Sequence, residues 1–215
     1  TPPPGYSYDH PIAPDGQEWQ SPTRYALNKE RPHAYFFSFA PHDRAERVLP
    51  EYSSYYHSLD GKWRFHWVRT PEEREKDFYS KAFDDSRWEE VTVPMNWNVY
   101  GLQRDGSKRY GTPIYVNQPV IFYHEVRPGD WRGGVMRTPP KEWTTYRDRN
   151  EVGAYRRSFS LPEKWDGKRV YLNFDGVDSF FYLWVNGRYV GFSKNSRSLA
   201  SFDITPYLEQ GKENT

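Results

Sequence analysis

The chain has 215 residues, which is enough for one large β domain or two small domains. Its 30 basic and 29 acidic residues give a net charge of +1, and no basic stripe stands out, so nucleic acid is not expected as a partner. The longest apolar run, residues 180–185, is too short to cross a bilayer, so no membrane partner is expected either. The lack of cysteine excludes a disulfide framework and a thiolate metal site, and it fits either the cytoplasm or an oxidising compartment.

Aromatic residues make up 19% of the chain, which is the most unusual feature of its composition. Large flat rings favour β-strands because they pack well on a pleated surface. Such rings also line sugar sites, since the apolar face of a pyranose stacks on them. Core packing is the simpler interpretation for any single ring, and sugar binding stays open as the alternative.

The N-terminal part of the chain lacks any regular hydrophobic period. Residues 1–18 are rich in Pro, Gly, Asp and Tyr and are predicted to form an extended tail. Residues 19–57 are predicted to form an irregular arm, because four prolines interrupt every candidate element. Residues 35–39 form a candidate short strand that would otherwise be an exposed apolar patch. We therefore expect the arm to pack on the rest of the domain or on domains downstream of it.

The first clear strand pattern follows the turn pair at residues 60–61. Residues 62–68 alternate, which places every second side chain on one face: Trp63, Phe65 and Trp67. Residues 70–79 open with Thr-Pro-Glu-Glu, a helix-start pattern that predicts a short helix. Residues 88–94 predict a second strand, which ends at a proline.

Residues 101–150 carry many glycines, prolines and charges, so they are predicted to be functional or to form an insertion with its own packing. Beyond them, Asn186-Gly187 stands between two apolar runs and predicts a hairpin with a type I′ turn. The chain ends in a glycine-containing turn, which we interpret as a domain truncated at its C-terminal end. Further strands are predicted over residues 155–161, 170–174, 179–185 and 202–204.

Scarce helix signals and short strands separated by turn residues predict an all-β fold. We predict a jelly-roll β-sandwich over residues 58–215, with about seven strands or more and no helix longer than about three turns. The irregular N-terminal arm precedes it.

The usual catalytic sequence motifs are absent. The chain has no glycine-rich phosphate loop, no zinc-protease motif and no serine-hydrolase elbow. Its six histidines lack the spacing of metal ligands, so they are predicted to be surface or loop residues. Hydrolysis of a glycoside needs two carboxylates that face each other across the bond, and the sequence singles out no such pair. We therefore expect no catalytic residue in this chain.

Several segments share the motifs of one known family, in the family's order. Residues 58–65 (SLDGKWRF) are similar to its opening strand, and residues 83–101 to its D-x-x-W…V-P-x-N-W block. Residues 113–117 (PIYVN) and 184–191 (WVNGRYVG) follow, and the arm pattern W-x-x-P…N-x-x-P matches Trp19, Pro22, Asn28 and Pro32. Together, over about residues 18–215, these segments resemble the N-terminal sugar-binding domain of glycoside hydrolase family 2, most closely that of bacterial β-galactosidases. The resemblance implies a galactose-binding-like β-sandwich.

The resemblance also implies that the parent protein is a retaining β-galactosidase that hydrolyses terminal β-D-galactosides. The two catalytic glutamates of that family lie in a TIM barrel downstream, so this fragment alone is not an enzyme. Asn150-Glu151 is superficially similar to the family's acid/base pair. It follows a charged stretch, residues 147–149, and not a buried parallel strand, so we reject that assignment.

Two site features follow from the same resemblance. The asparagine of the P-I-Y-x-N stretch reaches towards the galactose subsite, which makes Asn117 the predicted substrate-binding residue; the alternative is a loop amide that caps a turn. Enterobacterial relatives bind magnesium with an acidic and an amide side chain around the arm's tryptophan. Here Glu18 and Ser21 stand in place of Asp and Asn, so no metal or other cofactor is expected in this fragment, whereas Mg²⁺ in the full-length enzyme stays open.

Three interpretations of the function remain. The domain shapes the substrate pocket of a β-galactosidase, or it acts alone as a carbohydrate-binding module, or it is a structural, subunit-contact domain of a related β-glucuronidase or β-mannosidase. The expected partners are a β-galactoside, bound weakly or not at all by the fragment alone, and the downstream barrel of the same chain. A homo-oligomer of the full-length enzyme is also expected.

Overall fold

A computed structural model of the chain describes residues 13–21, 23–111 and 150–215. By its contacts, the chain divides into two compact units. The first unit comprises Thr1–Leu59, Tyr79–Phe83 and Ser158–Thr215, and the second comprises Asp60–Phe78 and Asp84–Arg157. The division into a tail, an arm and a domain starting at residue 58 stays a prediction.

Strands dominate both units. Within the described ranges the only α-helix is the four-residue α1, Trp97–Tyr100, and no helix there is long and apolar enough to cross a membrane. Single 3₁₀ turns accompany it at Ala45–Arg47, Pro50–Tyr52, Pro71–Glu73, Glu163–Trp165 and Thr205–Tyr207. The strands are β1 (Ala26–Leu27), β2 (Gly61–Val68), β3 (Glu89–Val93), β4 (Val152–Arg156), β5 (Tyr171–Phe174), β6 (Phe180–Val185), β7 (Arg188–Lys194) and β8 (Ala200–Asp203).

The first unit is a sandwich of two antiparallel sheets. One sheet has the strand order β1-β7-β6, and the other pairs β5 with β8. Side chains from both sheets form one core, in which the rings of Phe174 and Phe181 lie 4.7 Å apart. The most deeply buried members are Val185, Val190, Phe202 and Ile204. The predicted all-β sandwich class is confirmed.

The second unit is built on the antiparallel sheet β3-β2-β4. The alternation of β2 places Trp63, Phe65 and Trp67 in one apolar cluster, as predicted, with Phe65 almost completely buried. The strand predicted over residues 88–94 is confirmed as β3.

Two local predictions are wrong. The helix predicted over residues 70–79 is a single 3₁₀ turn, Pro71–Glu73, and the side chain of Thr70 caps nothing. The stretch after it is charged and offers no apolar stripe to bury, so a short helix lacks the packing that would stabilise it. The candidate strand at residues 35–39 has no strand partner in the described chain, and Phe36 is 71% exposed.

The β6–β7 hairpin turns at Asn186-Gly187, where both residues have positive φ, 52° and 78°. Val185 faces Arg188 across the turn, so the predicted type I′ hairpin is confirmed. The Asn186 amide also donates to Asn214 Oδ1 at 2.7 Å and to the Tyr207 carbonyl at 2.9 Å. Asn214 is almost fully buried, so this one turn both reverses the chain and fixes its last residues.

Replacing Gly187 by valine tests this turn. A β-branched residue tolerates positive φ poorly, so Gly187→Val should lower the free energy of unfolding by about 1–3 kcal/mol. Gly187→Asn is the matched control, because asparagine accepts this conformation and the nearest atom to the new Cβ, the Tyr79 carbonyl oxygen, lies 3.8 Å away. Urea denaturation measures both variants. Equal stability of the two would mean that φ at this position does not matter.

Candidate functional site

The predicted substrate-binding residue, Asn117, lies outside the described residues. The residues on either side of that segment belong to the second unit and lie next to each other. A Cβ built on Gly111, whose φ is 75°, would lie 2.5 Å from Oε1 of Glu151. Gly111, two residues before the P-I-Y-x-N stretch in the sequence, is therefore packed closely against Glu151, which precedes β4.

The N-W-N part of the V-P-x-N-W block holds Gly111 in place. Asn96 caps α1 by accepting a hydrogen bond from the Val99 amide at 3.2 Å. Asn98, inside the helix, donates its side-chain amide to the carbonyl of Tyr110. Two asparagines of one motif thus fix a helix turn and the residue before Gly111.

Aromatic side chains pack against this group of residues (Asn96, Asn98, Tyr110 and Gly111), which we call the frame at Gly111. Trp97 stacks on Phe65 with ring centroids 6.1 Å apart, and a Cβ on Gly153 would lie 2.5 Å from the Trp97 ring. Glycine at 153 therefore lets Trp97 lie flat against β4. The Tyr110 hydroxyl and the Trp67 indole nitrogen are buried nearby without a hydrogen bond to any described residue. Sequence reasoning identified the motif but gave no sign of these buried donors.

Glu151 does not have the setting of a catalytic acid. It precedes β4, which pairs antiparallel with β2, whereas the family's acid/base glutamate lies at the end of a parallel barrel strand. This geometry agrees with the rejection of Asn150-Glu151 as a catalytic pair.

A second polar site lies in the first unit, where the arm meets the sheet. β1 pairs with the outer edge of β7, with Ala26 opposite Ser193. A Cβ on Gly191 would lie 2.1 Å from the Leu27 carbonyl oxygen, so the glycine of the N-G-R-x-V-G motif allows the arm to approach. Asn28, at positive φ, then donates to the Val190 carbonyl at 2.6 Å. Residues of the arm motif (Asn28) and of the hairpin motif (Val190 and Gly191) therefore contact each other directly.

Glu18, predicted to flank the arm's tryptophan, is 3% exposed. One carboxylate oxygen accepts a hydrogen bond from the Asp15 amide at 2.9 Å. The other accepts from the Tyr182 hydroxyl at 2.6 Å. Burial and this bond to Glu18 raise the pKa of Tyr182 well above its usual value. The carboxylate therefore acts as a double acceptor that ties the arm to β6.

Two cations stand beside this carboxylate. The Lys194 ammonium donates to the carbonyl of Ser21 at 2.5 Å, and its backbone amide donates to the Tyr25 carbonyl at 2.8 Å. The Arg24 guanidinium donates to Asp15 at 2.6 Å, which lowers the pKa of that carboxyl to about 2. Burial and the nearby Arg24 charge lower the pKa of Lys194, and the Glu18 carboxylate opposes this.

Magnesium does not fit this set of residues. Mg²⁺ requires near-octahedral oxygen ligands at about 2.0–2.1 Å. Both oxygens of Glu18 and the carbonyl of Ser21 are occupied by N–H, O–H and ammonium donors. In the part of the chain that the structure describes, no group of three His, Asp or Glu residues could hold a metal ion.

A pair of tyrosines tests the role of Glu18 as an acceptor. Tyr182→Phe removes the donor and leaves a buried carboxylate oxygen unpaired, so it should lower the free energy of unfolding by about 1.5–3 kcal/mol. Tyr189→Phe is the control, because its buried hydroxyl makes no hydrogen bond to any described residue. Its expected effect is neutral or slightly stabilising. Urea denaturation measures the free energy of unfolding of both variants, and the comparison requires that their m-values are equal. Equal losses of stability would contradict the hydrogen bond from Tyr182 to Glu18.

The first unit is thus a β-sandwich with an attached N-terminal arm, and the second unit is a three-stranded sheet that carries the frame at Gly111. The family model "Glycosyl hydrolases family 2, sugar binding domain" matches residues 56–215. The chain therefore belongs to glycosyl hydrolase family 2, and this stretch is its sugar-binding domain.

Full-length relatives are much longer than this chain. It is 35% identical over 199 residues to a β-galactosidase of Priestia megaterium, covering 92% of this chain and 17% of that protein. It is 32% identical over 190 residues to a β-galactosidase of Halalkalibacterium halodurans, covering 87% of this chain and 16% of that protein. A crystal structure of Bacteroides uniformis β-glucuronidase is similar with a TM-score of 0.45 and 22% identity, over 74% of this chain and 13% of that one.

Proposed function

We propose that this chain is the non-catalytic sugar-binding domain of a retaining β-galactosidase and contributes Asn117 to the substrate pocket. The observation that carries the proposal is the family match together with a β-galactosidase relative that is 35% identical over 92% of the chain. The substrate is a terminal β-D-galactoside, and the downstream barrel of the same polypeptide supplies the catalytic glutamates. The full-length enzyme is a homo-oligomer in this proposal.

Three acidic side chains of the described residues have structural partners, which is consistent with a non-catalytic role for these three. A general acid at neutral pH needs a raised pKa. Asp43 accepts hydrogen bonds from the amides of Ala40 and Ser54 and from the Ser54 hydroxyl, and although burial opposes them, these bonds lower its pKa to about 2. The carboxylates of Glu18 and Asp15 are likewise occupied by neighbouring donors. These groups hold loops together.

The side chain of Asn117 suits the proposed role. A carboxamide offers two donors and one acceptor, so it pairs with sugar hydroxyls without adding charge beside catalytic carboxylates. Its stretch begins two residues after Gly111, which the asparagines of the V-P-x-N-W block hold in place. A loop that starts from a fixed point spends less conformational entropy when it binds a ligand.

The isolated chain should hydrolyse no galactoside. In this proposal the two catalytic carboxylates lie in the downstream barrel, so we expect no release of product from a chromogenic β-galactoside at any pH. The assay compares the purified chain with a mock purification from the same host. Turnover that co-elutes with the chain and exceeds the mock would contradict the proposal.

Asn117→Ala in the full-length enzyme should lower kcat/KM by roughly 10- to 100-fold, because a buried sugar hydroxyl would lose its partner. A loss in kcat means that the contact strengthens in the transition state, and a loss in KM alone means that the residue only holds substrate. Gln118→Ala is the matched control, since it removes the neighbouring carboxamide. Thermal melts of both should match wild type. Unchanged kinetics for Asn117→Ala would leave the domain a structural role only.

A carbohydrate-binding module that acts alone is the second candidate. Exposed aromatic side chains favour it, since Tyr25 is 69% and Tyr35 57% exposed. Titration calorimetry of the chain with galactose and lactose separates the two candidates. Measurable binding by the chain alone would support the module, whereas the β-galactosidase proposal expects little or none.

A further inference from the structure

The turn that carries Glu18 and Ser21 lies beside the charged side chains of Asp15, Arg24 and Lys194. It is a compact backbone turn, in which the Gln20 and Ser21 amides both donate to the Gln17 carbonyl at 3.1 Å. This turn presents a buried carboxylate, Glu18, and a main-chain carbonyl, that of Ser21, to the sheet. The sheet donates a hydrogen bond to each of them, from the Tyr182 hydroxyl to Glu18 and from Lys194 to the Ser21 carbonyl.

The donor to the Ser21 carbonyl is the ammonium of Lys194, a residue of the sheet itself. Lys194 is the last residue of β7, and it contacts the arm twice, through its backbone amide to Tyr25 and through its ammonium to the Ser21 carbonyl. The ammonium also lies over the Phe180 ring, 5.8 Å from its centroid. A lysine at the end of the middle strand of this sheet therefore reaches back over the arm instead of pointing into solvent.

The charges of the site balance without any added ion. Asp15 and Glu18 carry two negative charges, and Arg24 and Lys194 carry two positive ones. A divalent cation placed here would stand beside an ammonium and a guanidinium, and like charges in a partly buried site repel strongly. It would also have to displace the donors that now fill the carboxylate of Glu18.

We propose that the Lys194 ammonium anchors the arm in place of a divalent cation, so that this contact between the arm and the sheet is independent of metal. The ammonium provides a single, fixed positive charge with a hydrogen bond to the Ser21 carbonyl. Its attachment to β7 makes it part of the fold. The arm then stays in place at any concentration of Mg²⁺ or chelator.

Hydrogen–deuterium exchange of the full 215-residue chain tests this directly, because the Gln20 and Ser21 amides report on the turn. For wild type, uptake in the peptide covering residues 13–21 should be the same in excess EDTA and in excess MgCl₂. Slower exchange with Mg²⁺ than with EDTA would overturn the proposal. This measurement requires no variant.

Substitution of Lys194 completes the test. Lys194→Gln should speed exchange in the peptide covering residues 13–21 by about tenfold or more, since a charge-assisted bond is lost. Lys194→Arg, which keeps the charge, should preserve most of the protection. Lys164→Gln is the matched control, because Lys164 is exposed and lies far along the chain in Glu163–Trp165. Full protection in Lys194→Gln would contradict the anchor.

Discussion

The register of the β6–β7 hairpin is the constraint on which the first unit depends. Asn186 and Gly187 both adopt positive φ, so the turn has two residues and admits one pairing of the strands that flank it. Because side chains alternate along a strand, a slip by one residue would turn Val185 and Val190 away from the core. The same turn binds Asn214 through the Asn186 amide, so the end of the chain is positioned with it.

The outer edge of β7 then decides where the arm lies. β1 can pair there only because Gly191 has no side chain to meet the Leu27 carbonyl. The arm covers an edge that would otherwise offer free backbone groups to another chain. Glu18 and Lys194 hold the start of the arm against the same strands, by bonds to Tyr182 and Ser21. One hairpin thus organises the core, the chain end and the arm.

Local patterns in the sequence predicted the elements that local chemistry determines. The alternation of residues 62–68 and the Asn186-Gly187 turn needed no distant partner, and both were confirmed. The helix over residues 70–79 failed because its capping pattern lacked an apolar stripe to bury. The partners of Glu18 were beyond prediction, because Tyr182 and Lys194 lie far along the chain and only the folded arm brings them together. The role of Asn117 stays a prediction that rests on resemblance.

The two polar sites, around Glu18 and at Gly111, differ in what they position. The anchor around Glu18 stabilises the first unit, whereas the frame at Gly111 precedes the stretch for which we propose a role in substrate binding. The most direct test is a crystal structure of the full-length enzyme with galactose in its catalytic site. We expect an amide atom of Asn117 within about 3.2 Å of a sugar hydroxyl, at hydrogen-bond distance. A galactose that no residue of this domain reaches would contradict it.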